Sequence, residues 1–336
     1  MSAIGDYLRD YRRSIIGRER QTFAEIIDAY RLLQRRLSAQ LAQLEKEFDS
    51  VKTTDRAKLR RSETLREILR QIETAIRDYS RGVVPSIERE MTTATGLGAD
   101  DARRSVSAAL ETLRGNVAGG IPTFTLPRRA IQNAAALMGD GSPLIEYFNQ
   151  TLAPQVVAEI RNQVIEGIAT GKSFASIAKA LRRAGDISRY RSLAVARTEV
   201  LRIRRESALQ VYREAGNIPL WEWVAVKSER TCVLCLAMDG RRFPISEPFP
   251  QHINCRCTMI AVMPDLPPIK RTLGRDWFRR QPPEVQEAIL GPDAYLAWIR
   301  GEINDLSDFV GFRNDARFGK SIRRRPLAQV ISEVGP

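Results

Sequence analysis

Residues 231–258 read TCVLCLAMDGRRFPISEPFPQHINCRCT. They hold all four cysteines of the chain, Cys232, Cys235, Cys255 and Cys257, and its only histidine, His252. The spacing is C-x2-C, a 16-residue spacer, then H-x2-C-x-C. A C-x2-C pair curls two thiolates around one ion in a tight turn, and the second half supplies up to three more donors. A tetrahedral zinc site can therefore be filled without water, and zinc suits mixed thiolate and imidazole ligands. Five candidates compete for four positions. Cys232, Cys235, His252 and Cys255 form the preferred set, because H-x2-C repeats the turn-like spacing of C-x2-C. Cys257 can replace Cys255, since C-x-C in an extended segment puts both side chains on one face. The expected cofactor is one structural zinc per chain. Two other readings stay open: two disulfides, which need an oxidising compartment, and reduced thiols in a small core. Nothing at the N-terminus reads as a secretory signal.

The flanks of this stretch point to a small sheet. Residues 220–226, LWEWVAV, read as a strand, and residues 257–262, CTMIAV, as the strand that closes it. Asp239-Gly240 reads as a hairpin turn between Cys235 and Phe243. Upstream, Leu193, Ala196, Val200, Ile203, Leu209 and Tyr212 recur at helical spacing and predict a long helix over 188–215, ended by Gly216. Arg197 and Glu199, in the run AVARTEV, are either ion-paired groups that orient this helix or ordinary exposed charges. Arg241, Arg242 and Arg256 are candidate contacts to nucleic acid.

Further out the chain is helical. Phe23, Ile26, Ile27, Tyr30, Leu33, Leu37, Leu41, Leu44 and Phe48 make one apolar stripe, and Leu65, Ile68, Leu69, Ile72, Ile76 and Tyr79 a second. Two antiparallel helices sharing this seam would bury both stripes. Residues 49–55 read as the turn between them, and Gly82 and Pro85 as the end of the second helix. Asp100 and Asp101 read as the cap of a helix over 102–113. Residues 115–127 read as a linker, 128–138 as a short helix, and 139–143, GDGSP, as a boundary. Leu152, Val156, Ile160, Val164 and Ile168 predict another helix, stopped by Gly171. Ser173 caps the next, which Gly185 and Asp186 separate from the long helix. Pro267 and Pro268 mark a linker; residues 276–290 and 293–300 read as two short helices, and Arg323, Arg324 and Arg325 as a basic run, either a contact to phosphate or, as the preferred reading, a solvated tail. The expected segments are 1–92, a helical arm or hairpin; 93–143, short helices and linker; 144–263, the Cys/His domain; and 264–336, a short helical tail. The fold class is mainly α with a small antiparallel β element (α+β): an N-terminal helical hairpin or bundle, and a C-terminal helix-plus-small-sheet domain with a zinc-knuckle-like turn.

Composition sets the partners. With 53 basic and 40 acidic residues among 336, the net charge is +13, which favours a polyanion or an acidic protein surface. No apolar run approaches the ~20 residues of a transmembrane helix, so no membrane partner is expected.

The ordered positions Ala196 to Glu199 (ARTE), Trp221 and Trp223, Ser228 to Gly240, and Pro250 to Cys257 resemble the phage head morphogenesis family. Its members are minor head proteins similar to protein F of phage Mu and to the minor head protein of phage SPP1. The resemblance covers roughly residues 150–263. The segment DWFRRQPPEVQEAILG, with the later RGEIND, also looks like the tail that follows this domain in such proteins. The family often has Asp in the approach to R-T-C, where this chain has Ser228 and Glu229 before Arg230; a carboxylate is kept. The resemblance implies a structural component of the capsid interior, associated with the portal vertex and assisting head assembly and DNA packaging or delivery. Its implied partners are the portal protein, the major capsid or scaffolding protein, and DNA without sequence preference. The implied location is the virion, and the host cytoplasm during assembly. The alternative is a stand-alone zinc-containing nucleic-acid-binding protein. The chain is not expected to be an enzyme and is expected to have no small-molecule substrate. No catalytic residue is assigned: the donors exceed four, so no open metal position is required, and no phosphate-binding or dinucleotide-binding glycine run occurs.

Overall fold

The structure, a computed structural model, describes residues 3–50, 63–113, 154–159, 162, 174–263, 269–315 and 319–334. The chain groups into two compact units. Unit 1 takes residues 1–17, 91–140 and 200–336; unit 2 takes 18–90 and 141–199. Three long helices, α1 (Ala3–Ser50), α2 (Glu63–Leu113) and α3 (Phe174–Ala215), make the chain mainly α, with small antiparallel sheets beside them.

In unit 2 the two apolar stripes are buried, Ile26 to Leu44 on α1 and Leu65 to Tyr79 on α2. Ion pairs join the helices in antiparallel order: Arg18 with Glu90 at 3.4 Å, Arg89 with Glu25 at 2.6 Å and Arg36 with Asp78 at 2.7 Å. The two exposed pairs, Arg89 with Glu25 and Arg36 with Asp78, set register more than stability, contributing about 0–1 kcal/mol each. The apolar seam holds the hairpin.

Where the helices end differs from the sequence reading. α2 continues through Gly82 and Pro85 to Leu113. Val83, Ile87, Met91 and Ala94 prolong its buried stripe, and their burial offsets the roughly 3 kcal/mol cost of an interior proline. Asp100 and Asp101 therefore lie inside α2 rather than at a cap. Asp101 is buried and accepts two hydrogen bonds from Arg204 of α3, at 2.5 and 3.0 Å. α3 likewise runs through Gly185 and Asp186, where one interior glycine costs only about 1 kcal/mol and Asp186 accepts a hydrogen bond from Tyr30 at 2.5 Å. The readings of the turn beyond residue 50, of residues 114–143, of most of the stripe at 152–168, of Gly171 and Ser173, and of Pro267 and Pro268 lie outside the described residues.

Unit 1 depends on a close approach of α2 to α3 at Gly98. A methyl group there would collide with the Arg204 carbonyl oxygen and come within 2.7 Å of the Ser207 Cβ. Backbone cannot yield as a side-chain tip can, so Gly98→Ala is expected to destabilise by about 2 kcal/mol despite alanine's better helix propensity. Gly96, one turn face away, has open space around it, and Gly96→Ala is expected to stabilise by up to about 1 kcal/mol. Urea unfolding of both variants checks the pair; the same sign for both would refute the close approach.

A three-stranded sheet in unit 1 is antiparallel throughout, with the first strand in the middle. It comprises β1 (Leu220–Val224), β2 (Arg242–Pro244) and β3 (Thr258–Val262). Trp221 and Trp223 are fully buried. Their rings stack on Phe243 and Phe249, with Trp221 4.4 Å from Phe243 and Trp223 3.9 Å from Phe249. Leu209, Val211 and Tyr212 of α3 belong to the same core. Between β1 and β2 lies the short helix α4 (Val233–Met238). Asp239-Gly240 is thus the end of α4, not a hairpin turn; Gly240 takes φ +91° there.

After residue 268 the chain forms α5 (Gly274–Arg279), α6 (Pro283–Leu290) and α7 (Pro292–Ile299). Pro282 and Pro283 split what reads as one helix over 276–290. A 3-10 turn at Leu306–Phe309 leads into the hairpin β4 (Val310–Asp315) and β5 (Gly319–Arg324), followed by α8 (Leu327–Val334). Arg323 and Arg324 therefore lie on a strand rather than in a solvated tail. β5 also holds the Cys/His stretch: Gln251 N–H donates to the Lys320 carbonyl at 3.0 Å, and Ile322 N–H to the Gln251 carbonyl at 2.9 Å.

Candidate metal centre

Two turns present the donors. Cys232 caps α4 in an extended conformation and Cys235 sits in its first turn, with the Leu236 N–H donating to the Cys232 carbonyl at 3.2 Å. The second turn closes when the Cys255 N–H donates to the His252 carbonyl at 3.3 Å. Asn254 takes φ +65° in that turn, a left-handed conformation that asparagine tolerates better than most residues.

All five sequence candidates converge. Cys232, Cys235 and His252 form one group that could hold a metal ion, and Cys235, Cys255 and Cys257 a second; within each group the donor atoms lie within 4.8 Å of one another. Cys235 is common to both. Its sulfur is 2.9 Å from His252 Nε2 and 3.8 Å from the Cys255 sulfur, and the Cys232 sulfur is 3.8 Å from the same Nε2. A tetrahedral zinc with ~2.3 Å Zn–S bonds separates its sulfurs by about 3.8 Å. The four cysteines are free thiols, so no disulfide accounts for the cluster.

The imidazole is oriented for the task. Its Nδ1–H donates to the Ile253 carbonyl at 2.9 Å, which turns the Nε2 lone pair toward the thiols. Cys232, Cys235, His252 and Cys257 line a cavity of about 130 Å³ together with Ser228, Arg230 and Asn254.

Crowding splits the thiols. The hydrogen bond from Cys235 holds Cys232 down at about 5, against burial and with help from His252. Cys255 lies well below the usual thiol value: burial pushes it up, but hydrogen bonds from Cys235 and Cys257, and the charges of His252 and Arg205, outweigh that. Cys235 is pushed well up by its bonds to Cys232 and Cys255, and Cys257 well up by burial. Burial pushes His252 down, but the thiolate charge of Cys255, hydrogen bonds to Cys232 and Cys255, and the charge of Cys232 together hold it well above its usual value. The cluster by itself thus keeps protons among its thiolates. A divalent cation supplies the same positive charge and lets the remaining thiols ionise. Donor type, spacing and electrostatics all fit zinc.

One residue that holds this geometry was missed in the sequence. Arg205 of α3 is 1% exposed. Its guanidinium donates to the Cys255 and Cys257 carbonyls at 3.3 and 3.2 Å and to the Gln251 side-chain oxygen at 2.7 Å, and lies 4.7 Å from the centre of the Phe249 ring. The signal was its position: Arg205 is four residues from Leu201 and from Leu209, on the apolar face of α3.

Asp239 and Gly240 follow the helix that carries Cys235. The Asp239 carboxylate is wholly buried and accepts from the Ala225 N–H at 2.9 Å, Lys227 at 2.9 Å and Arg271 at 2.7 Å. Arg271 also reaches Glu222 at 2.9 Å. Removing one partner of such a buried pair leaves the others uncompensated, so Asp239→Ala is expected to cost about 3 kcal/mol. Chemical denaturation measures this, and a loss under about 0.5 kcal/mol would refute the network's role.

Arg197 and Glu199 fall in unit 2. Arg197 pairs with Glu19 at 2.9 Å and lies 4.7 Å from the Phe23 ring centre, and Glu199 is buried. Arg241 and Arg242 are exposed at the start of β2, Arg242 pairing with Glu222 at 3.2 Å; Arg256 is half-buried between two of the cysteines.

A small antiparallel sheet packed on a helix, with a Cys/His cluster at its loops, defines a knuckle-type domain. Residues 158–260 match the family model described as Phage Mu protein F like protein. This match supports the phage head morphogenesis family read from the sequence. It spans under a third of the chain and contains all five donors.

Among curated proteins, the chain is 26% identical over 133 residues to the NAD(+)–arginine ADP-ribosyltransferase EFV of Enterococcus faecalis (strain ATCC 700802 / V583), covering 34% of this chain and 27% of that protein. No solved structure matches the chain. The transferase match overturns the expectation that the chain is not an enzyme. That expectation rested on missing motifs and on a count of metal donors, and neither bears on the rest of the chain. The family match is the stronger of the two findings, and the activity in the relative's name is that protein's own.

Proposed function

We propose that the chain is a minor head protein of a phage or prophage, a structural component of the head interior associated with the portal vertex. The match of residues 158–260 to phage Mu protein F like proteins gives the phage head morphogenesis role its support. In this reading 144–263 is the working domain, 1–92 a helical arm and 264–336 a supporting tail. Cys232, Cys235, His252 and Cys255 hold one structural zinc, with Cys257 in reserve. Arg197, Glu199, Asp239 and Gly240 are structural. The protein assists head assembly and DNA packaging or delivery, contacting the portal, the major capsid or scaffolding protein, and DNA without sequence preference. Arg241, Arg242 and Arg256 meet phosphate, where counterion release rewards basic side chains. The virion is its location, reached from the host cytoplasm.

The observation that carries the zinc is the convergence of five soft donors around Cys235. The experiment for the head role is protease protection: in intact heads of the phage or prophage that encodes it, the chain should be present, resist added protease, and co-precipitate with the portal. Absence from purified heads, or full digestion outside intact ones, would overturn the proposal.

A further inference from the structure

We propose that the surface where β2 meets the β4–β5 hairpin binds single-stranded nucleic acid, with Phe312 stacking on an unpaired base and Arg241 and Lys320 taking the flanking phosphates. It deepens the non-specific DNA contact proposed above and is independent of the metal.

Phe312 is 42% exposed, although it lies on a strand directly opposite the buried Ile322. The Arg241 guanidinium lies 5.5 Å from its ring centre and the Lys320 ammonium 5.3 Å. Lys320 is also 6.0 Å from the ring of Phe243 on β2. Two cations from different elements thus flank one exposed ring.

Of the two phosphate-binding cations, Lys320 already pairs with Glu247, a carboxylate that a phosphate has to displace. Glu222 pairs with Arg242, while the Arg241 side chain contacts the Met238 sulfur and the Phe312 ring. The platform is rigid. β4 and β5 pair over six residue pairs, and β5 is tied to Gln251 on both sides of Ser321. Strands already paired in this way need little ordering on binding, which favours affinity.

A single strand uses every part of this surface. Its phosphates meet the cations and its bases expose faces for stacking, without regard to sequence. A duplex hides those faces, and an acidic peptide has no group for the ring to stack on.

The test is fluorescence anisotropy of the full chain with a labelled thymidine oligonucleotide, a duplex of equal length, and poly-glutamate. Phe312→Ala is expected to weaken oligonucleotide binding roughly 5- to 150-fold, leaving duplex and poly-glutamate binding unchanged. Phe312→Trp should restore it. Arg241→Ala and Lys320→Ala should each flatten the salt dependence by about 0.7 in log–log slope. Thermal melts identify any variant that fails to fold, and Phe312→Trp serves in place of such an alanine variant. An oligonucleotide affinity unchanged in Phe312→Ala would overturn the proposal. So would equal loss for the duplex, or poly-glutamate binding that depends on Phe312. If the chain binds no nucleic acid at all, this surface and the DNA contact fail together, while the head role still stands or falls on protease protection.

Discussion

Chelation under reducing conditions is expected to lower the melting temperature of the chain by about 8–16 °C and to abolish the near-ultraviolet signal of Trp221 and Trp223. Metal bound only by the folded state stabilises by about 4 kcal/mol when free zinc is a thousandfold above Kd, and each kcal/mol moves a domain of this size by about 2–4 °C. The tryptophans report because their rings stack on Phe243 and Phe249, and Phe249 lies three residues before His252. The long helices do not pass through the cluster, so far-ultraviolet helicity should fall much less. Readdition of zinc should restore both signals. A melt unaffected by exhaustive chelation would mean that the cysteine turns are held by packing alone. Within the same experiment Cys232→Ser should lose the metal, whereas Cys257→Ser should keep it.

Arg205→Met is expected to destabilise the chain by about 3–5 kcal/mol and to weaken zinc binding 10- to 100-fold. Methionine fills much of the volume, but the Cys255 and Cys257 carbonyls and the Gln251 amide oxygen lose their donor in a buried setting. The positive charge beside the thiolates goes as well. Groups that hold metal ligands in place typically carry effects of this size on affinity. Arg205→Lys keeps the charge but not the fork of donors, so it should recover part of the zinc affinity and little of the stability. Urea unfolding and competition with a zinc indicator separate the two quantities. If the methionine variant matched the parent in both, Arg205 would be no more than core filling.

What the sequence made legible follows from residue rarity and periodicity. Five soft donors in one window can be read without a structure, because few other roles gather all the cysteines and the only histidine. The stripes on α1 and α2 were legible for the same reason that they are stable: apolar spacing at three and four residues is what buries a helix. Helix ends were not legible. Gly82, Pro85, Gly185 and Asp186 carry local costs of about 1–3 kcal/mol, and the tertiary burial that overrides them is invisible locally. Asp239-Gly240 misled because the pair suits a helix end as well as a hairpin; Asp239 earns its place through Lys227 and Arg271. The β4–β5 hairpin escaped because its strands carry Arg and Lys, and its partner strand at Gln251 is distant in sequence. Arg205 escaped because a single arginine among many is unremarked unless its helical face is checked.

Metal content tests the account's central claim most directly. Protein purified under reducing conditions without added metal is subjected to elemental analysis, with thiol titration in parallel. The account predicts about one zinc per chain and slow reaction of Cys232, Cys235 and Cys255 until a chelator is added. No zinc, with all four thiols reacting freely, would contradict it.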